Sequence, residues 1–183
     1  MSFEDGVKLP LGILTAAAGL YNTEHLHLPY PSLIAQKTGK TILIWGGSSN
    51  VGIAAVQLSV ASGVDVVAVA SEANWDLVRE AGASKTFSQH SRTAINDLVG
   101  CLKGKEVVGA FDGMSDHHDL STRHFRRDAD TSSLIAIGSV EATSSTAQVL
   151  AHLGGGKLAS VFNRFGDVPD SVQAKQGKSD TNV

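Results

Sequence analysis

Cysteine is almost absent: Cys101 is the only one, so neither a disulfide framework nor a thiolate zinc cluster can form within the chain. It falls in an apolar helical pattern and reads as a small buried residue. Proline is scarce and displaced, with Pro10, Pro29 and Pro31 before the middle of the chain and Pro169 after it. The long interval without proline can host ladder-forming strands and unbroken helices. Neither sign of charge dominates. A net charge of -3 and a pI near 6.1 offer no electrostatic footprint for nucleic acid or an anionic membrane. No apolar run approaches the ~20 residues of a membrane span. The acidic start Met1-Ser2-Phe3-Glu4-Asp5-Gly6 lacks the basic and apolar segments of a secretory signal. What remains is 183 residues, 42% hydrophobic and 18% charged, which suits one globular, soluble, cytoplasmic domain.

The most informative stretch runs from Thr41-Ile42-Leu43-Ile44-Trp45 through Gly46-Gly47-Ser48-Ser49-Asn50-Val51-Gly52 to Ile53-Ala54-Ala55-Val56-Gln57-Leu58. A short apolar run leads into small residues and then into an amphipathic helical pattern. A nucleotide-binding strand-turn-helix needs that order: small residues admit a pyrophosphate, and the helix aims unpaired N–H groups and its positive end at the anion.

Further strands are expected at Val64–Ala70 and Val107–Asp112, with weaker ones at Lys85–Phe87 and Leu158–Phe162. Val51, Ala54, Ala55 and Leu58 follow helical spacing, as do Ile95, Leu98, Val99 and Leu102. A shorter helix carries Trp75, Val78 and Ala81 and stops at Gly82; another runs from about Ser144 to Leu153. Strands alternating with helices imply a doubly wound α/β domain with a parallel sheet. Residues 1–37 read as a linker or helix leading into a dinucleotide-binding domain over 38–172. Asp116–Ser133 reads as a polar surface excursion, and Leu134–Gly138 competes to be the last core strand. From Gln173 to Val183 the chain is polar, carries no apolar face and is expected to fray.

The turn does not match G-x-G-x-x-G letter for letter, since Ser49 or Asn50 stands where a third glycine is expected. Its setting between a strand and a helix is what gives it meaning. A plain strand-to-helix turn, with Ser49 or Asn50 only capping the helix, is the alternative. The second contact of a dinucleotide falls at the end of the second strand, about twenty residues on. There the chain reads Ala70-Ser71-Glu72-Ala73-Asn74-Trp75. A carboxylate would favour NAD, whereas a small hydroxyl leaves room for the extra phosphate of NADP. Ser71 favours the second case; Glu72 opposes it, and no arginine is present. Ser71 also suits a helix cap.

These strings, with Leu9-Pro10-Leu11-Gly12, Thr15-Ala16-Ala17, Ala81-Gly82-Ala83, Ala110-Phe111-Asp112 and Gly155-Gly156-Lys157-Leu158, resemble the zinc-independent medium-chain dehydrogenase/reductases. The similarity is to the branch of quinone-oxidoreductase-like proteins and fungal trans-acting enoyl reductases, where serine commonly replaces a glycine of the turn. The resemblance implies a Rossmann-like NAD(P)-binding domain and NADPH (NADH as the alternative) as hydride donor to an activated double bond or carbonyl of a small-molecule substrate, without metal. It implies that Ser48, Ser49, Asn50 and Val51, in a turn with Gly47 and Gly52, meet the pyrophosphate. Ser71 and Asn74 would lie near the adenosine phosphate, where the branch often has a basic residue in place of Ala73. Thr15 would stand near the nicotinamide as the catalytic candidate, or act only in helix packing.

Against the family pattern, the N-terminal catalytic barrel domain is expected to be missing, along with the C-terminal return segment. Residues 116–138 have no counterpart: joining Met114-Ser115 to Ser139-Val140 would restore the pattern, which points to an insertion or a translated intron. A truncated reductase with weak or no activity alone is therefore one expectation. A non-catalytic dinucleotide-binding or interaction module, dimerising through a sheet edge or apolar face, is the other.

Other chemistries lack their residues. A short-chain dehydrogenase needs tyrosine and lysine four apart downstream, but Tyr21 and Tyr30 precede the turn and neither has lysine at that spacing. A methyltransferase would want a carboxylate closing the second strand, for which Glu72 is a poor candidate. His117 and His118 have no third ligand at useful spacing, and His25 and His27 are expected on the surface beside Pro29. No G-x-S-x-G elbow occurs.

Overall fold

The computed structural model describes residues 3–114, 140–160 and 169–176. Along them the chain forms α1 (Phe3–Tyr21), β1 (Lys40–Trp45), α2 (Asn50–Ala61), β2 (Asp65–Ala70), a 3-10 turn over Glu72–Asn74, α3 (Trp75–Glu80), β3 (Lys85–Ser88), α4 (Ala94–Leu102), β4 (Glu106–Asp112), α5 (Val140–His152), β5 (Gly156–Ser160) and β6 (Val172–Gln176). The described strands make one sheet in the order β3-β2-β1-β4-β5-β6, every pair parallel. The chain winds outward from β1 in one direction and then from β4 in the other. The winding thus reverses between β1 and β4, and beyond the C-terminal ends of the strands at such a point these sheets bind ligands. This is the doubly wound, Rossmann-like architecture that the alternating elements predict.

Alternation within β1 decides which helices cover which face. Successive side chains of a strand point to opposite sides; Ile42 and Ile44 go one way, Leu43 and Trp45 the other, and all four are buried. On the first side, Val66, Ala68, Phe111 and Ala159 join the isoleucines against Ala16 and Leu20 of α1 and Ala54, Ala55 and Val56 of α2. On the second, Val67, Val69, Ala110 and Leu158 pack on Leu98 and Leu102 of α4 and on Ala147, Val149 and Leu150 of α5. Each such Leu, Ile, Val or Phe side chain stabilises the fold by about 1.5–3 kcal/mol on full burial. Covering both faces is why the central strands read as continuous apolar runs.

Several expectations need correction. The tail from Gln173 does not fray at once: Val172–Gln176 is β6, in register with Gly156–Ser160. An outer strand needs apolar contact only at alternate positions, and here Val172 is buried while Gln173 is exposed. His25 is not on the surface but 5% exposed, because residues 22–28 fold back under α1. The Leu26 and Leu28 amides donate to Gly19 and Leu20 at 3.3 and 2.8 Å. His27 is exposed, as expected. Cys101 is half-buried on the flank of α4 rather than fully enclosed. Within residues 1–37, a 19-residue helix with Pro10 inside it occupies Phe3–Tyr21. The excursion Asp116–Ser133, the competing strand Leu134–Gly138 and the expected end of β5 at Phe162 lie outside the described residues.

Tyr21, at the end of α1, ties that helix to the C-terminus of α2. Its hydroxyl donates to the Leu58 carbonyl at 3.2 Å and lies 3.1 Å from Ser62 Oγ. Burial raises its pKa above the ordinary 10.0, an effect partly offset by the Ser62 hydrogen bond. With the folded value above the unfolded one, this contribution is whole below the unfolded pKa and is lost as pH rises through the folded pKa. Stability should therefore fall above about pH 10, and Tyr21→Phe should flatten that alkaline limb in urea titrations. An unchanged pH slope in the variant would refute the assignment.

Candidate functional site

The chain leaves β1 at Trp45 and reverses at Gly46, whose φ of +73° is a conformation that side-chain-bearing residues rarely adopt. The Gly47 amide donates to Val69 O of β2 at 2.9 Å, and the Ser49 amide donates back to Gly46 O at 2.9 Å. Ser49 is extended (φ -70°, ψ 162°) and caps α2. Its hydroxyl accepts from the Gly52 amide at 2.8 Å and donates to the Gly113 carbonyl at 2.7 Å. Its carbonyl accepts from the Ile53 amide at 2.8 Å. Gly52 lies against the turn so closely that a Cβ there would press directly on the Gly46 carbonyl oxygen.

The cap expected of Ser49 is present. The hydroxyl does cap the helix, and it also bridges to the end of β4, so both its proton and a lone pair are engaged within the protein. Of the first-turn amides, which have no acceptor four residues back, that of Gly52 is taken by the Ser49 hydroxyl, and the first helical bond runs from the Ile53 amide to the Ser49 carbonyl. No acidic residue occupies the first turn of α2, so its positive end is not neutralised by a carboxylate. Helix, turn and strand ends together form a cradle suited to an anion.

The second cluster lies beside it. Ser71 follows β2 directly, and the Asn74 amide nitrogen closes the 3-10 turn onto Ser71 O at 3.0 Å. The Asn74 side-chain Nδ2 lies 2.9 Å from Ser71 Oγ and 3.4 Å from Ser48 Oγ. Ser71 thus stands at the N-cap position without making a side-chain cap bond. Ser48, Ser71 and Asn74, twenty-odd residues apart in sequence, are brought together. Trp75 anchors the start of α3 through Nε1 to Ala70 O at 3.3 Å.

Thr15 sits half-buried on α1. Gly12, one helical turn earlier, lies against Asn50, where an added Cβ would be 3.0 Å from Asn50 Nδ2. The face of α1 that bears Gly12 and Thr15 is therefore turned toward the start of α2. Gly113 and Met114, which close the far wall of the turn, were not singled out from sequence. The Met114 amide is held by Asp112 Oδ1 at 3.0 Å, and Met114 packs over Gly46. Only the strand ending at Asp112 hinted at them, through its place at the switch point. Two clefts of about 190 and 670 Å³ open at the opposite end of the sheet, sharing Lys157. They contain none of the residues of the turn or of the β2 end. Among the described residues no three His, Cys, Asp or Glu side chains are grouped to hold a metal.

Ser49→Ala should cost about 1 kcal/mol, up to 2, through the lost cap. Gly52→Ala should cost more, because its methyl must displace the Gly46 carbonyl. Urea unfolding followed by Trp45 emission measures both, and a Gly52→Ala chain as stable as wild type would refute the close approach.

No family model matches the chain. Relatives do. The trans-enoyl reductase himH of Aspergillus japonicus is 37% identical over 166 residues, covering 91% of this chain and 41% of its own length. The dehydrogenase orsE of Emericella nidulans is 31% identical over 189 residues, covering 95% and 48%. Among solved structures, the enoyl reductase CurK superposes with a TM-score of 0.62 at 19% identity, over 96% of this chain and 44% of that one. The chain thus spans less than half the length of these relatives. Its homologues are fungal trans-enoyl reductases and dehydrogenases, matched over part of their length, and its fold is that of solved enoyl reductases.

Proposed function

We propose that this chain binds NADPH and serves as the cofactor half of a reductase that delivers hydride to an activated double bond or carbonyl. The observation that carries this reading is the start of α2. It has no carboxylate in its first turn, and it follows β1 at the point where the winding of the sheet reverses between β1 and β4. Such an end favours a diphosphate electrostatically and by direct donation.

The roles follow from the bonds already present. Gly46 and Gly52 let the backbone close into the turn, and Gly47 fastens it to β2. Ser49 holds the turn shut instead of spending its hydroxyl on the ligand. The first turn of α2 at Asn50 and Val51, with the Ser48 hydroxyl, meets the pyrophosphate. Ser71 and Asn74 receive the adenosine phosphate, and Thr15 approaches the nicotinamide from α1. Bound NADPH supplies the hydride; the protein's part is to hold, orient and shield it. The reading assigns no metal to the step: the branch it rests on is the zinc-independent one, and a single cysteine cannot build a thiolate site. The chain alone is expected to turn over slowly. Homodimerisation along the outer edge of β6 and a cytoplasmic location belong to the same proposal. No helix among the described residues is long and apolar enough to cross a membrane.

Fluorescence titration of the purified chain with NADPH and NADH, alongside NADPH oxidation with small enones and quinones, tests the proposal. Saturable NADPH binding, abolished by Gly52→Val, with slow but measurable turnover is the expected result. Binding without turnover would make it a dinucleotide-binding module only, and binding of neither nucleotide would reject the reading.

A further inference from the structure

We infer that Asn74 is a positioning residue which turns the hydroxyl protons of Ser48 and Ser71 outward, and thereby makes the site prefer a 2′-phosphorylated dinucleotide. The inference rests on the cofactor reading above and concerns what sets its selectivity.

The end of β2 poses a charge problem. Phosphate groups are usually met there by a cation, whereas a carboxylate marks a ribose hydroxyl. Here residues 71–74 carry Ser71, Glu72, Ala73 and Asn74, without lysine or arginine. Arg79, on the following helix, is engaged with Asp76 at 3.6 Å and lies 5.3 Å from the Trp75 ring centre. Glu72 points to solvent from the exposed side of the 3-10 turn. Among the described residues at this strand end, selectivity is therefore left to neutral groups.

Asn74 Nδ2 can only donate. It stands 2.9 Å from Ser71 Oγ and, in a longer and weaker contact, 3.4 Å from Ser48 Oγ. Each serine oxygen has two lone pairs and one proton. Once an amide proton occupies a lone pair, that hydroxyl cannot aim its own proton back along the same line. Both O–H groups are then available to a ligand as donors. A phosphate presents only acceptors at neutral pH, so two converging donors match it. A ribose 2′-hydroxyl needs one donor and one acceptor and gains less from the pair. The 3-10 turn keeps this arrangement in place, since the Asn74 backbone amide is itself bonded to Ser71 O at 3.0 Å.

Asn74→Asp has nearly the same shape but reverses the polarity. Its carboxylate would accept from both serines and draw their protons inward. Asn74→Leu removes the amide and lets the hydroxyls rotate. Gln57→Glu controls for added charge, because Gln57 is exposed two turns into α2 and lies outside the hydrogen-bonded trio. Dissociation constants for NADPH and NADH are measured by fluorescence on the full-length chain and the three variants, with folding checked by circular dichroism. Wild type should favour NADPH. Asn74→Asp should reduce the NADPH-to-NADH preference by about tenfold or more, the scale of one hydrogen bond to a charged group. Asn74→Leu should reduce it less, and Gln57→Glu least. An unchanged preference in both Asn74 variants, or an equal loss in Gln57→Glu, would overturn the positioning role while leaving the cofactor reading intact. Wild type binding neither nucleotide would overturn both.

Discussion

The carbonyl of Gly46 and the α-carbon of Gly52 lie too close for any side chain to stand between them, and Ser49 bridges the same few ångströms by its hydroxyl. This contact sets where α2 begins and at what angle it leaves β1. The Ser49–Gly113 hydrogen bond then fastens that start to the end of β4, its neighbour in the sheet, 64 residues further along the chain. Two elements that flank the switch point are thus held to one turn. Were the turn to open, the helix would lose its cap and its tie to the end of β4.

The two cores make this arrangement stiff. Because β1 sends alternate residues into separate layers, shifting its register by one residue would exchange the partners of α1 and α2 for those of α4 and α5. Phe111 shows how the layers reach the site. It is buried on the α1 side of β4, its ring lies against Gly19, and the next residue, Asp112, holds the Met114 amide beside Gly46. Packing in the core therefore places the backbone at the site. The turn lies at the end of the sheet where β1 leads into α2, whereas the loop through Leu26 and Leu28 and the clefts around Lys157 lie at the other end.

Sequence pattern reached most of this where one element could be read alone. Strands β1 and β2 and helices α2 and α4 lie within a few residues of their expected limits, because each has a full apolar period of its own. Strand β6 was hidden: Gln173 and Lys175 interrupt it, and its partner determines that it pairs at all. His25 was misplaced for a similar reason, since its burial depends on a loop returning beneath α1. At the turn, the small residues marked the location, yet the two duties of the Ser49 hydroxyl depended on Gly113, which no local pattern could connect to it. The trio of Ser48, Ser71 and Asn74 lay in two separate candidate segments. Spacing suggested that they served one ligand, but their mutual hydrogen bonds required the strands to be paired first.

The serine in place of a glycine then has a physical reading. In the dinucleotide turn, one glycine makes the reversal, one admits the pyrophosphate and one allows helix and strand to approach. Gly46, with its positive φ, performs the first task, and Gly52 performs the third. A serine between them is tolerable because its side chain is bonded back into the protein. One bond takes it to the Gly52 amide and another to the Gly113 carbonyl. It thus leaves the space a glycine would leave, while adding a helix cap and a tie across the sheet that glycine cannot provide. The Gly52 amide is consumed in the process, so under the proposed function an anion would rely on other groups of the turn, the Ser48 and Ser71 hydroxyls among them.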